Sequence, residues 1–183
     1  MKNILPHKTL HTLYFSLIHP HITNGLPVWG NSTHVKKILT LQKKAIGIIN
    51  NKPYCYHTEP LFKKENILTI DHQFNLQVTL FMHDFLNNRL PKSFNNFFQL
   101  NANLIRRQTR QHNTFYIGRP RTNFSMHLPN HSFPRIWNNM NQIIQGIPNR
   151  NLYKRQCRIH YLQTYAENSM CNNRRCDQCY NRM

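Results

Sequence analysis

At 183 residues and 39% apolar content the chain can bury one modest core, and it holds no apolar run near the ~20 residues of a membrane span. Lys and Arg number 24 against six Asp and Glu, leaving a net charge of +18. Five cysteines, an odd number without a convincing signal peptide, exclude a secreted disulfide scaffold and fit a reducing, intracellular home in nucleus or cytoplasm.

Thr9 can cap a helix in which Leu10, Leu13, Tyr14, Leu17 and Ile18 form an apolar row ending before Pro20. Ile22 to Trp29 is rich in breakers, with Asn24-Gly25 and Pro27, and Trp29 reads as a packing anchor, with base stacking as the sharper alternative. Ser32 or Thr33 then starts a basic amphipathic helix. Val35, Ile38, Leu39, Gln42, Ala45, Ile46 and Ile49 recur on one face, and Lys36, Lys37, Thr40, Lys43, Lys44 and Gly47 on the other. One side wants a core and the other an anion.

After a loop through Pro53, Thr58 caps a short helix with Pro60 in its first turn, and Ile70, Phe74, Val78, Phe81 and Phe85 mark a third long helix ending near Asn87-Asn88. These helices can cover one another's rows as a small bundle over residues 7–98. Residues 99–131 change character. Arg106, Arg107, Arg110, Arg119 and Arg121 stand among Asn, Gln and Thr with Phe115, Tyr116 and Phe124 interleaved, a composition suited to phosphate forks and base stacking or, alternatively, to a solubilised connector.

Residues 132–166 predict a helical hairpin that packs back on the first domain: Pro134 to Ile144 after a Ser132 cap, then a helix capped by Asn151 with Leu152, Ile159, Leu162 and Tyr165 on one side and Lys154, Arg155 and Arg158 on another. Residues 167–183 form a basic tail with Cys171, Cys176 and Cys179. Together with His160 or Cys157 they offer four zinc ligands in the manner of a knuckle; the alternative is free thiols, and no other cofactor is expected.

Several segments resemble the region just after the polymerase core in non-LTR (LINE-type) retrotransposon reverse transcriptases, particularly the jockey-like group. Leu13 to Asn31 reads LYFSLIHPHITNGLPVWGN, followed by LQKKAIGII at Leu41 to Ile49. His57-Thr58-Glu59-Pro60-Leu61-Phe62 with Ile67-Leu68 looks like the family's HTxPLF and IL element. Phe81-Met82, Asn87-Asn88, Leu90-Pro91, Phe94 and Phe97-Phe98 look like its continuation, as do Thr109-Arg110, Pro120-Arg121-Thr122-Asn123 and Ile136-Trp137-Asn138. The likeness covers roughly residues 5 to 165. Gly47 departs from it, standing where an arginine is usual, and so does Ser132-Phe133-Pro134, where a glycine-proline pair is common.

The resemblance implies a thumb and post-thumb region that holds template and primer beside a palm domain. The palm chemistry itself has no counterpart here. Two-metal polymerisation needs carboxylates converging on ions about 4 Å apart, whereas the six acids, Glu59, Glu65, Asp71, Asp84, Glu167 and Asp177, are nowhere adjacent. Asp71 and Asp84 read as cap and surface residues. From Phe85 to Ala166 there are twelve basic residues and no acidic one, a field that repels itself unless a polyanion is present.

The expectation is therefore a mostly all-α fold, a thumb-type helical bundle with a long basic loop and further C-terminal helices. Its role is to bind RNA or DNA without catalysis and without a membrane, as a fragment or decayed copy that lacks the palm. Phosphate contacts are expected from Lys36, Lys37, Lys43 and Lys44 and from Arg106, Arg107, Arg110, Arg119 and Arg121. The alternative is a zinc-stabilised structural or protein-interaction module.

Overall fold

The computed structural model describes residues 5–53, 56–104 and 111–164. Among these the secondary structure is helical, and extended pairing is a lone antiparallel bridge between Leu100 and Phe115. The all-α expectation holds. In chain order the helices are α1 (His7–Leu13), a π-helical turn (Tyr14–Ile18), α2 (His19–Thr23), α3 (Leu26–Trp29), α4 (Val35–Ile49), α5 (Glu59–Lys64) and α6 (Ile70–Leu86). A 3-10 turn (Lys92–Phe94) follows, then α7 (Asn101–Leu104), α8 (Asn123–His127), α9 (Pro129–Asn138), α10 (Gln142–Gln145) and α11 (Arg150–Thr164).

The chain divides into two compact units, Met1–Phe74 with Arg158–Met183, and Asn75–Cys157. The division runs through α6 and α11, whereas the sequence suggested boundaries in the connections after residues 98 and 131. In the first unit Tyr14, Ile46, Ile49, Leu61, Phe62 and Ile67 form a buried cluster with Leu10, Phe15, Ala45 and Tyr56 against it. Full burial of each large side chain contributes about 1.5–3 kcal/mol.

The first helical stretch does not stop before Pro20, nor does Thr9 cap it: Pro6 is the N-cap residue and no side chain caps it. The π turn explains the continuation. Here the His19 amide donates to the Tyr14 carbonyl, one residue further back than in an α-helix, and the wider turn accommodates a ring that would otherwise strike the preceding turn. Pro20 then sits in the first turn of α2, where it has no N–H to leave unpaired.

Three helices end on asparagine. Asn51, Asn66 and Asn88 adopt positive φ (52°, 54° and 54°) after α4, α5 and α6. At each, the following amide reaches back five residues: Lys52 to Gly47, Ile67 to Phe62 and Arg89 to Asp84, all at 2.9 Å. This is the Schellman ending, with asparagine in the left-handed position that glycine more often takes.

The second unit is aromatic. Phe81 meets Phe94, Phe98 and Phe133 edge-on at ring separations of 5.5, 6.4 and 5.7 Å, Trp137 stacks on Tyr153 at 6.1 Å, and Tyr153 stacks on His83 at 4.3 Å. Asp84 is not the surface residue expected. It is buried, and Arg150 Nε donates to both its carboxylate oxygens at 2.8 and 3.0 Å, with Arg89 at 3.6 Å.

Three further local expectations change. Residues Leu100 to His131 are not a bare loop where described: α7 and α8 form within them, and Phe115 is buried with its N–H donated to Asn138 Oδ1 (3.0 Å) and its carbonyl accepting from Asn138 Nδ2 (2.9 Å). α9 begins at Pro129 rather than after Ser132, with Leu128 as its N-cap residue, and ends at Asn138; Asn141 caps α10 separately by accepting the Ile143 amide. In α11 the cap is Asn149, which accepts from the Asn151 and Leu152 amides, and the buried row is Tyr153, Cys157 and Tyr161. Leu152 and Ile159, expected inside, are exposed, and Tyr165 lies outside the described residues.

Two glycines give opposite tests of this packing. A Cβ at Gly30 would lie 2.5 Å from the Phe74 ring and 2.6 Å from the Leu26 carbonyl, whereas one at Gly47 would meet nothing within 4 Å. Gly30→Ala is expected to destabilise by about 1–3 kcal/mol. Gly47→Ala, in a helix interior with open space for the added methyl, should stabilise by about 1 kcal/mol. Chemical denaturation of the two variants checks both signs.

Candidate nucleic-acid interface

α4 presents the lysines because its other side is committed. Val35, Gln42, Ile46 and Ile49 are buried, while Lys36, Lys37 and Lys44 are exposed and Lys43 is half-buried, the split expected from the spacing. Gln42 fixes the rotation of the helix. Its Nε2 donates to the Tyr14 hydroxyl (3.0 Å) and the Leu68 carbonyl (2.9 Å), and its Oε1 accepts from the Ile70 amide (2.9 Å). At a rise of 1.5 Å per residue the pairs Lys36-Lys37 and Lys43-Lys44 stand about 10 Å apart along the axis, close to the rise of three nucleotides on one strand of a duplex at about 3.4 Å each. The sequence before Glu59 contains no acid.

Leu41 and Ile48 belong to this surface although the sequence pattern gave them no place in it. They are 62% and 66% exposed and share a surface row with Lys37 and Lys44, at i, i+4, i+7 and i+11. Their signal was available as two aliphatic residues absent from the apolar face.

In the second unit Arg119 and Arg121 are exposed and, among the described residues, make no salt bridge. Tyr116 and Phe124, interleaved with them, are 51% and 75% exposed. Phe115 belongs to the core instead. Arg106, Arg107 and Arg110 lie outside the described residues.

The residues expected as zinc ligands divide similarly. Cys171, Cys176 and Cys179 lie outside the described residues, so no ligand set is on view with His160, which is half-buried with its ring 5.5 Å from that of Tyr161. Cys157 is a packed side chain whose thiol burial pushes up, away from the thiolate a metal requires. Among the described residues no group of three or more His, Cys, Asp or Glu is arranged to hold a metal ion. Nor is any helix there long and apolar enough to cross a membrane.

Comparison of the chain with protein-family models, curated proteins and solved structures returned no match.

Titration in the first unit is dominated by burial. His72 is pushed down by burial, partly offset by Asp71, and its ring stacks on Tyr161 at 5.6 Å; His19 is pushed down by burial as well. Burial raises the Tyr14 phenol against the opposing Gln42 hydrogen bond.

Gln42→Leu keeps the volume but leaves the Leu68 carbonyl, the Ile70 amide and the Tyr14 hydroxyl without their partner; at about 1–3 kcal/mol for each buried orphan, a loss of about 3 kcal/mol should appear in denaturant midpoints. Because the folded chain resists protonating His19 and His72 while the unfolded chain does not, their contribution is complete above the ordinary histidine pKa of about 6.5 and is lost as pH falls below it towards the lowered folded values. Thermal melts between about pH 7.5 and 5.5 should therefore fall for the native chain and fall less for His72→Gln. A drop of equal size in both would remove His72 as a source.

Proposed function

We propose that this chain is a nucleic-acid-binding region that grips the backbone of a template-primer duplex, akin to the thumb and post-thumb part of a non-LTR retrotransposon reverse transcriptase, and that it performs no polymerase chemistry. The observation that carries the reading is α4. Two lysine pairs stand on a helix whose rotation is held by a buried amide, so the cations are placed by the core rather than by flexible chain. The motif likenesses from Leu13 to Asn138 point the same way.

The carboxylates support the second half of the proposal. Glu59 lies 3.4 Å from His57, Glu65 lies 3.1 Å from His7, and Asp84 is taken by Arg150. Each of the three is engaged by a basic side chain. Binding by cations such as the α4 lysines positions a strand without reading its bases, so affinity should depend on salt and hardly on sequence.

Salt titration of duplex binding tests the lysine face. Changing Lys36, Lys37, Lys43 and Lys44 together to Gln should flatten the slope of log K against log salt by roughly two to four, at about 0.9 for each phosphate left without its lysine. An unchanged slope would mean that the duplex does not lie on α4. Primer extension on an RNA template with magnesium should yield nothing from the purified chain, and synthesis that survives contamination controls would overturn the non-catalytic half.

A further inference from the structure

The connection from Phe115 to α8 has a construction of its own. Phe115 is drawn inward and clamped on both backbone sides by Asn138, and Tyr116 next to it is turned to solvent with its amide donated to the Gln99 carbonyl at 2.8 Å. Gly118 follows. A Cβ there would stand 3.3 Å from His131 Cε1 and 3.8 Å from Tyr116 Cε1, so the two rings flank a stretch of bare backbone. Arg119 and Arg121 come next, exposed on either side of Pro120. Thr122 then accepts the Ser125 amide at 3.2 Å, capping α8 and fixing the backbone from which Phe124 projects.

Phe115 serves the core of the unit, whereas the rings of Tyr116 and Phe124 are left largely outside it. A phenylalanine 75% exposed buries little, and a tyrosine 51% exposed beside a clamped phenylalanine spends its ring on solvent. What they offer is two ring faces with two guanidinium forks between them in sequence, in an acid-free stretch of chain from Phe85 to Ala166. Ring faces stack on bases, and forks bind phosphates. In a duplex the bases are already stacked on one another, so the rings gain a partner from an unpaired strand alone.

We infer that Tyr116 to Phe124 is a second nucleic-acid site, selective for unpaired strands, with Tyr116 and Phe124 stacking on bases and Arg119 and Arg121 holding the intervening phosphates. The inference rests on the general nucleic-acid reading of the chain but not on the lysines of α4. An acidic peptide would satisfy the arginines without using the rings, and that difference decides between the two classes of partner.

The test uses the full chain and fluorescence anisotropy with oligouridylate and oligothymidylate of about twelve nucleotides and a duplex of the same length. Tyr116→Ala with Phe124→Ala should weaken binding of the single strands by about tenfold or more and of the duplex by less than about twofold. Tyr116→Phe, which keeps the ring, should leave single-strand binding intact. Arg119→Gln with Arg121→Gln should lower the single-strand salt slope by about 1.4, at about 0.7 for each phosphate. The α4 lysine variants separate the two readings, since they should weaken the duplex while the alanine pair still discriminates on single strands. Either sugar supports the site, and the tighter one gives its preference. Single-strand binding unaffected by the alanine pair would overturn the proposal. So would displacement by polyglutamate as efficient as by an oligonucleotide of equal charge. Circular dichroism melts, expected unchanged because both rings are exposed, guard against misfolding.

Discussion

The carboxamide of Gln42 is the polar group around which the first unit is arranged. It sits amid Val35, Ile46 and Ile49 on the buried side of α4 and joins the π turn through Tyr14, the segment before α6 through Leu68, and the first turn of α6 through the Ile70 amide. An aliphatic face alone resists rotation weakly, because dispersion and hydrophobic burial are nearly non-directional. Three hydrogen bonds in a dry interior are directional, and they set the angle of the helix. The lysines opposite then face outward as a consequence of the core.

The same economy appears at the helix ends. The chain has five glycines, and among the described residues glycine turns left-handed at Gly25 between α2 and α3, whereas α4, α5 and α6 end on left-handed Asn51, Asn66 and Asn88 instead. Asparagine tolerates this conformation because its short amide bonds locally, so a glycine-poor sequence can still stop its helices sharply. At Gly30 the reason for glycine is space, since the backbone passes against Phe74 and the Leu26 carbonyl.

Charge is distributed so that few acids are left to neutralise the lysines and arginines. Glu59, Glu65 and Asp84 are engaged by His57, His7 and Arg150, the last with both carboxylate oxygens. The lysines of α4, of which Lys43 is half-buried and the others exposed, and the exposed arginines at 119 and 121 belong to different units. A field of this kind favours any polyanion within about a Debye length, about 8 Å at physiological salt, and weakens as salt is added.

The lysine side of α4 was legible in the sequence because apolar and cationic residues there alternate with the period of a helix, so local chemistry decides which side is wet. The start of α5 at Glu59 and the span of α6 were legible for similar local reasons, a proline suited to a first turn and a row of apolar residues at helical spacing. The row buried by α11 was not: Leu152 and Ile159 are more apolar than Tyr153, Cys157 and Tyr161, yet ring partners at His83, Trp137 and His72 select the tyrosines. The passage of the first helix through Pro20 depended on a π turn that no hydropathy pattern announces. At the second candidate site the sequence supplied arginines and aromatics as a composition, and tertiary structure alone sorted them, because the anchor that turns Phe115 inward is Asn138, twenty-three residues away. Periodicity reports what neighbours on one helix share, whereas which ring is buried depends on the surface it meets.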